Sequence, residues 1–420
     1  MEDKLEILKD YIKKELVKMT DSKFFMQEEF KVKSEIERLV VQAIKENRKI
    51  SLTHNEREKL MSELIDDILG LGPIERLLAD PSVWEIMVND PKQVYVERDG
   101  KLELTDITFI DEDHLLYVIE KILSPLGRRV TEFEPYVDAR LRDGSRVNVI
   151  RSPIALKGPV LTIRKFSRRL LKVDDLIDFG TLDKYIAGFL EACVRSHLNI
   201  LISGGTSSGK TTTLNILSSF IPTDERIITI EDTAELQLPH RHKVCLETRP
   251  PNIEGKGEIT IRDLVKNVLH MRPDRLIIGE VRGAETLDML QAMNIGQEGS
   301  MTTLHANSAF DALLRLETMS LMSAGENIST EVVKRQIISG IDLIIQQVRF
   351  FDGSRWIMSI TEILKSKETE YQLQDIFVLE KTYDISGKIQ AGIKFTGKIP
   401  SFYNRLKEET GFSWDIFENK

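Results

Sequence analysis

Apolar positions at the start of the chain recur at helical spacing within a background rich in lysine and glutamate. The repeat begins with Leu5, Leu8, Ile12 and Leu16. Spacings of three and four residues place these side chains on one face of a helix. The remaining faces are charged, which is typical of helices lying on a surface. We therefore predict an N-terminal helical extension over residues 1–55.

One more predicted helix follows, and the pattern then changes to short apolar runs with strand character. Thr53 and Glu56 have the spacing of a capping box and predict a helix start, and 70–73 (Gly-Leu-Gly-Pro) predicts its end. Asp-Gly pairs at 99–100 and 143–144 each separate two β-type runs and predict hairpins. The predicted strands are 94–98, 101–104, 137–141, 146–150 and 160–165, with a helix over 113–123. This organisation predicts a mixed α+β domain over residues 56–166.

Strand-like and helix-like runs alternate in the second half of the chain. Residues 167–177 are basic and polar and predict a linker. After it, predicted strands at 199–203, 226–230, 276–278 and 300–304 alternate with helices at 182–197, 211–220, 261–269 and 284–293. Such alternation is typical of a parallel sheet and predicts an α/β domain over 178–365. We expect 342–350 and 356–363 to extend the sheet at an edge. A less regular extension over 366–420, with a hairpin near 385–393, completes the chain.

The first of these strands runs into a glycine-rich turn and then a helix. The turn fits the pattern G-x-x-x-x-G-K-[ST], and with the next residue it comprises Gly204, Gly205, Thr206, Ser207, Ser208, Gly209, Lys210, Thr211 and Thr212. Backbone N–H groups in such a turn, together with the helix N-terminus, favour a polyanion. Lys210 is expected to reach the β- and γ-phosphates, and the Thr211 hydroxyl to bind Mg²⁺. A chance glycine-rich loop is the alternative, but both flanks favour a nucleoside triphosphate site.

Hydrolysis of a bound triphosphate needs further groups, and three later strands end in suitable side chains. Glu231 follows a β-branched run and is our candidate for activating water. Glu280 follows a buried strand, where a carboxylate near a metal is expected. His305 follows the strand at 300–304 and is a candidate γ-phosphate sensor. Taken singly, the acidic turn also suits a solvated loop, and a lone histidine also suits a structural role.

Arginines supply positive charge for the developing negative charge on the phosphate. Arg146 and Arg164 lie in predicted strands of the α+β segment, outside the loop-bearing domain, and Arg249 lies beyond the 226–230 strand. If Arg146 and Arg164 contact the nucleotide, it must sit between two domains. Arg249 is a further candidate contact, from a neighbouring subunit. Each arginine taken alone also suits an exposed ion pair.

Composition excludes several classes of protein. Hydrophobic residues make up 41% and charged residues 30% of 420 residues, which is typical of a globular chain of two or three domains. The sequence has no long apolar run and only two cysteines, so we expect a cytoplasmic protein without a disulfide framework. The formal net charge of −9 disfavours a nucleic-acid motor, and the sequence has no Asn-Lys-x-Asp motif for a GTPase. A small-molecule kinase is disfavoured by the large separate N-terminal domain.

Four motifs in order give the sequence a family resemblance. A Walker A loop at 204–211, an aspartate box at 228–235, a Walker B element at 276–285 and a histidine box at 302–307 resemble the type II/IV secretion ATPase superfamily. The segments 70–75, 86–89, 247–255 and 271–275 resemble its CpaF-type (tight-adherence pilus) branch. His270 departs from the arginine common at that position.

The resemblance carries expectations about fold, activity and partners. It implies a RecA-like P-loop domain beside a smaller N-terminal domain, assembled as a cytoplasmic homohexamer that hydrolyses ATP with Mg²⁺. It implies a motor that serves pilus assembly, pilus retraction or protein secretion through a polytopic inner-membrane platform protein. The carboxylate usually taken as the base matches Glu231, the Walker B acid matches Glu280, and the histidine-box residue matches His305. Arginines that reach the nucleotide match Arg146 and Arg164.

Overall fold

The computed structural model describes most of the chain in two compact units, Met1–Arg168 and Arg169–Lys420. The described residues are 12, 29–46, 52–54, 56–58, 60, 61, 64, 71–98, 100–141, 143–166, 171–251, 256–324, 328–366, 370–383 and 389–414. Several sequence predictions rest on residues outside these ranges, namely those for Leu5, Leu8, Leu16, Gly70, Asp99 and the turn of the C-terminal hairpin. Each unit is described separately.

The first unit contains a six-stranded antiparallel sheet with a helix packed on one face. Its strands are β1 (Val83–Asp90), β2 (Gln93–Arg98), β3 (Lys101–Leu104), β4 (Tyr136–Arg140), β5 (Arg146–Ile150) and β6 (Val160–Arg164), in the order β3-β2-β1-β6-β5-β4. Its helices are α1 (Glu29–Glu46), α2 (Glu75–Ala79) and α3 (Glu112–Leu123), with single 3₁₀ turns at Gly72–Ile74 and Ser124–Leu126. Both hairpins predicted from Asp-Gly pairs are present, pairing β2 with β3 and β4 with β5.

Alternation along the strands builds the core of this unit. Ile86, Val147 and Ile163 point to one face of the sheet and pack with buried side chains of α3 such as Leu115 and Val118. The opposite face carries the polar members of the same strands. A separate apolar cluster joins α1 to the residues after the capping box. That capping box is present, with the Thr53 amide 2.7 Å from Glu56 Oε2 and the Glu56 amide 3.3 Å from Thr53 Oγ1.

The second unit contains a nine-stranded sheet with helices on both faces. Its strands are β7 (Ile200–Gly204), β8 (Ile227–Glu231), β9 (Lys243–Glu247), β10 (Arg275–Ile278), β11 (Met301–Leu304), β12 (Leu343–Arg349), β13 (Arg355–Ile363), β14 (Leu373–Tyr383) and β15 (Ile389–Phe395). Their order is β15-β14-β13-β12-β7-β11-β10-β8-β9. The run from β12 to β9 is parallel, and β13, β14 and β15 add to it antiparallel.

Two apolar layers cover the two faces of this sheet. The helices are α4 (Val173–Asp178), α5 (Lys184–Arg195), α6 (Lys210–Ser218), α7 (Ile261–Val268), α8 (Glu285–Asn294), α9 (Ala309–Ala324), α10 (Thr330–Gly340) and α11 (Tyr403–Thr410). Ile200 and Ile202 of β7 pack into the layer with α5 and α6, while Leu201 packs into the layer with α8 and α9. A central strand buried on both faces is the arrangement expected for a parallel sheet.

The structure differs from the sequence predictions at three places in this unit. β12 and β13 extend the sheet beyond β7, as expected, with β12 parallel to β7 from Leu343 to Gln347, but β14 and β15 lie outside them, so neither is the final edge strand. α4 occupies the end of the predicted linker at 167–177. The predicted extension at 366–420 contributes β14 and β15 to the same sheet, because their apolar residues, including Phe377 and Phe395, pack in the layer with α5.

Candidate nucleotide-binding site

Five residues connect the end of β7 at Gly204 to the start of α6 at Lys210. Ser207 and Gly209 both have positive φ, at 56° and 98°. Left-handed residues within a short turn bring successive N–H groups to the same side and form a concavity that binds anions. Gly209 is suited to this position because a residue with a Cβ is strained there. The turn therefore has the backbone conformation of a phosphate-binding loop.

Lys210 begins the helix after the turn, and its side chain is only 7% exposed. Its Nζ donates to the carbonyl oxygens of Gly204 at 3.1 Å and Gly205 at 2.9 Å. The ammonium group is thus held against the loop, at the N-terminus of α6, where the helix dipole also favours negative charge. Ser208 Oγ is buried and has no hydrogen-bond partner within the described residues. A buried hydroxyl and a buried cation beside a nest of amides fit a polyphosphate.

The remaining residues of the motif line the outer part of the turn. Gly205 and Thr206 are exposed, and Thr211 and Thr212 are half-buried in the first turn of α6. Mg²⁺ in nucleotide sites is held by one or two protein groups together with phosphate oxygens. No cluster of three potential metal-ligating side chains occurs among the residues that the structure describes.

Glu231 ends β8 and is almost completely buried, with 3% exposure. Its Oε1 accepts hydrogen bonds from the amides of Glu235 and Leu236, each at 2.9 Å, and its Oε2 has no partner among the described residues. Burial raises the pKa of this carboxyl to about 7, against the lowering effect of the two amides. The side chain also packs against Gly279, where an added Cβ would lie 2.9 Å from Glu231 Cγ. Glycine at this position leaves room for the carboxylate.

Glu280 lies just beyond β10 and contacts two cationic or polar partners. His305 Nδ1 donates to Glu280 Oε1, and Arg282 Nη2 donates to Glu280 Oε2 at 2.6 Å. Burial alone would raise the pKa of Glu280, but the hydrogen bonds from Arg282 and His305 hold it below its usual value. Arg282 Nη1 also lies 3.7 Å from Oδ2 of Asp232, just beyond β8. The structure thus brings Glu280 and His305 together and keeps the carboxylate ionised.

Parallel pairing explains why these groups meet. β8, β10 and β11 are adjacent strands, and their carboxyl ends lie at one edge of the sheet, as does the carboxyl end of β7. Thr303 Oγ1 donates to the Gly279 carbonyl at 2.7 Å, which fixes the start of the Glu280 loop against β11. Ligands of open parallel sheets bind at this edge.

Arg146 and Arg164 lie side by side in the first unit. They are register partners on β5 and β6, and Arg140 on β4 is the register partner of Arg146. On the other side of Arg164, the row continues with Glu85 of β1. Three arginines on adjacent strands concentrate positive charge on one row of the sheet, next to the carboxylate of Glu85. Sequence reasoning missed Arg140, although the turn at 143–144 already sets it opposite Arg146.

Arg249 lies at a different place from the loop. It follows β9, the edge strand that is four positions from β7 in the sheet. Its backbone pairs with Ile259 in an isolated bridge, and its Nε donates to the Gly257 carbonyl at 2.6 Å. The contacts described for Arg249 are therefore local to its own loop. Arg282, in contrast, was not among the predicted site residues and directly contacts one of them.

A parallel strand, a left-handed turn with its lysine, and carboxylates at neighbouring strand ends define a P-loop nucleotide-binding protein. Residues 67–354 match the family model described as Type II/IV secretion system protein. The chain belongs to this family, the type II/IV secretion ATPase superfamily predicted from its motifs. Among the helices that the structure describes, none is long and apolar enough to cross a bilayer.

Individual relatives support the same family. An uncharacterized protein of Methanocaldococcus jannaschii is 44% identical over 266 residues, which are 61% of this chain and 36% of that protein. The type IV secretion system protein VirB11 of Bartonella henselae is 30% identical over 314 residues, which are 66% of this chain and 87% of the relative. The chain therefore spans about a third of the first relative and most of the second.

A solved structure supports the fold. The crystal structure of the pilus retraction motor PilT with bound ADP is 20% identical and superposes with a TM-score of 0.50, covering 82% of this chain and 86% of that one. At this identity the likeness shows the fold alone. The predicted fold class, a RecA-like α/β domain with a smaller α+β domain, is confirmed.

Proposed function

We propose that this chain is an ATP hydrolase that works as a ring-forming motor of a pilus or secretion machine. One observation carries the proposal: the P-loop turn with its buried lysine lies in the same sheet whose neighbouring strands end in Glu231, Glu280 and His305. Membership of the secretion ATPase family supports the same activity. The motifs at 70–75, 86–89, 247–255 and 271–275 further support the CpaF-type branch.

The phosphates of ATP would be held by residues 204–212. The amides of the turn and the Lys210 ammonium would neutralise the β- and γ-phosphate oxygens. Mg²⁺, when bound, would neutralise charge on the phosphates, and Thr211 and Glu280 are the residues that would hold it. Two features support Glu280 in this role: its hydrogen bonds with Arg282 and His305 keep it ionised, and carboxylates suit Mg²⁺.

Glu231 is the better candidate for the base. A general base works best when its pKa is near the operating pH, and burial raises the pKa of Glu231 to about 7. The two amides on Oε1 orient the carboxylate and leave Oε2 available to accept a proton from water. His305, through Nδ1, would hold Glu280 in position and face the γ-phosphate as a sensor.

Arginines on three adjacent strands of the first unit would supply positive charge for a phosphate. We propose that Arg146 and Arg164, with Arg140 beside them, bind a phosphate of the nucleotide. The adjacency of the three arginines supports this role, because the positive charge they concentrate on one row of the sheet favours a phosphate group. We also propose that Arg249 contacts the nucleotide of a neighbouring copy in a homohexamer.

The partners and location follow from the proposed class. We propose a homohexamer at the cytoplasmic side of the inner membrane, held there by a polytopic platform protein and other components of the pilus or secretion machinery. No nucleic-acid substrate is expected, since the formal net charge is −9. We also propose a domain organisation for the chain. Residues 1–55 form an N-terminal extension and residues 56–166 an N-terminal domain. Residues 167–177 connect this domain to the ATPase domain at 178–365, and residues 366–420 are a C-terminal extension that completes the sheet of the ATPase domain.

A steady-state phosphate-release assay with Mg-ATP tests the activity. Lys210→Ala should abolish nucleotide binding and turnover, whereas Glu280→Gln should bind ATP and turn over at least 100-fold more slowly, as expected for loss of a group that stabilises the transition state. Ring formation predicts that specific activity rises with protein concentration. A wild-type chain that neither binds nor hydrolyses ATP, or stimulation that depends on single-stranded nucleic acid, would contradict the proposal.

A further inference from the structure

The hairpin formed by β12 and β13 lies directly against the P-loop. Gln347 of β12 is the register partner of Gly204, and its Nε2 donates to Thr213 Oγ1 of α6 at 2.7 Å. A Cβ added at Gly204 would lie 2.6 Å from the Gln347 carbonyl oxygen and 2.6 Å from Ser208 Oγ. The hairpin therefore packs against both ends of the turn, at Gly204 and at α6.

Arg355, the first residue of β13, contacts the middle of the same turn. Its Nε donates to the Ser207 carbonyl at 2.9 Å. Its Cδ lies 3.4 Å from the position that a Cβ would occupy at Gly209. The Arg355 backbone is held in turn, because its carbonyl accepts a hydrogen bond from Thr181 Oγ1 at 3.1 Å. A side chain about 150 residues further along the chain thus fixes one peptide group of the loop.

The contact controls the direction of an amide. In a trans peptide, the C=O and the following N–H point in opposite directions. Holding the Ser207 carbonyl towards Arg355 therefore directs the Ser208 N–H into the loop, where it donates a long hydrogen bond to the Gly205 carbonyl, with an N···O distance of 3.4 Å. Ser207 itself has φ at 56°, which is a strained conformation for a residue other than glycine, so the peptide needs an external restraint.

We propose that Arg355 is a positioning residue that keeps the Ser208 amide facing the phosphates of a bound nucleoside di- or triphosphate. This inference rests on the proposed nucleotide-binding function. It assigns Arg355 a role through the Ser207 carbonyl, with no direct contact to the nucleotide. Without the restraint, the loop also adopts conformations in which that amide is turned away. The apparent nucleotide affinity then falls in proportion to the fraction of molecules whose loop can still bind.

Three substitutions separate the hydrogen bond from the charge. Arg355→Leu removes both. Arg355→Gln carries its amide nitrogen at the place of the arginine Nε and restores a neutral donor. Arg355→Lys keeps the charge but has a methylene at that place. Arg335→Ala is the matched control, because it removes an exposed arginine of the same unit that pairs with Glu331 one turn away.

The test is the dissociation constant of ADP and of a fluorescent ATP analogue for the full-length chain, with thermal unfolding of the nucleotide-free protein. We expect Arg355→Leu to raise both constants about tenfold, as for loss of a charge-assisted hydrogen bond, and Arg355→Gln to stay within about threefold of wild type. In the same variants, the kcat of ATP hydrolysis should change less than the KM for ATP.

Two results would overturn the inference. The first is an Arg355→Leu variant with a lower melting temperature and an unchanged dissociation constant, which indicates a purely structural role. The second is an Arg355→Lys variant that binds nucleotide as the wild type does, together with an Arg355→Gln variant that binds more weakly, which indicates a direct effect of charge. This comparison does not require the leucine variant to fold. Failure of the wild-type chain to bind either nucleotide would instead contradict the proposed function.

Discussion

Replacing Glu231 with glutamine should have opposite effects on stability and activity. The folded protein holds this carboxyl with a pKa of about 7, compared with an ordinary value of 4.5. Because the folded pKa is raised, the stability contribution of the protonated group is complete below pH 4.5 and is lost as the pH rises through 7. At about 1.36 kcal/mol per pKa unit, the ionised carboxylate costs the folded state about 3 kcal/mol above pH 7.

Glutamine avoids this cost because it is neutral at every pH and its Oε1 accepts the same two amides. We expect Glu231→Gln to raise the free energy of unfolding by about 2–3 kcal/mol near pH 8 and by less than about 1 kcal/mol near pH 5. The ATPase activity of Glu231→Gln should fall although its stability rises. In the wild type, kcat should rise with pH with a midpoint of about 7, and in the variant it should be lost.

Denaturation in urea between about pH 5 and pH 8, followed by tryptophan fluorescence to which Trp356 and Trp414 of the second unit contribute, measures the stability difference. Glu258→Gln, at an exposed position in the loop after β9, is the control and should leave the free energy of unfolding close to that of the wild type. The reasoning is refuted if Glu231→Gln has wild-type stability near pH 8, or if it still turns over ATP at the wild-type rate. Either result would mean that the carboxylate is not a buried base.

Two further predictions concern the nine-stranded sheet and the histidine at its carboxyl edge. Gly299→Ala should destabilise the protein by about 3–5 kcal/mol in calorimetry, because the new Cβ would lie 1.9 Å from Nη1 of the fully buried Arg275 and disrupt its ion pair. Gly296→Ala, also at positive φ but with no atom within 4 Å, should cost only about 1 kcal/mol; equal losses would contradict the packing argument. His305→Ala should lower kcat at least tenfold at pH 7, with a larger loss at lower pH, because Glu280 loses a hydrogen bond that lowers its pKa. A pH profile parallel to that of the wild type would show that His305 does not act through Glu280.

Sequence alone determined the features that depend on neighbouring residues. The two Asp-Gly turns predicted both hairpins of the first unit, and the capping box predicted the contact between Thr53 and Glu56. The strand, turn and helix around Lys210 were predicted because their pattern is contiguous. Turn chemistry and hydrophobic period act over a few residues, so the information lies within a short stretch of sequence.

Tertiary structure alone decided which strands are neighbours. The order of the nine-stranded sheet sets β12 beside β7, and with it the contact between Arg355 and Ser207. The same order brings the ends of β10 and β11 together, so that His305 meets Glu280. Strand order depends on which buried faces pack best across the whole unit, and no local pattern records that choice. The sequence therefore determined the parts of the nucleotide site, and the packing of the sheet decided which side chains hold them in position.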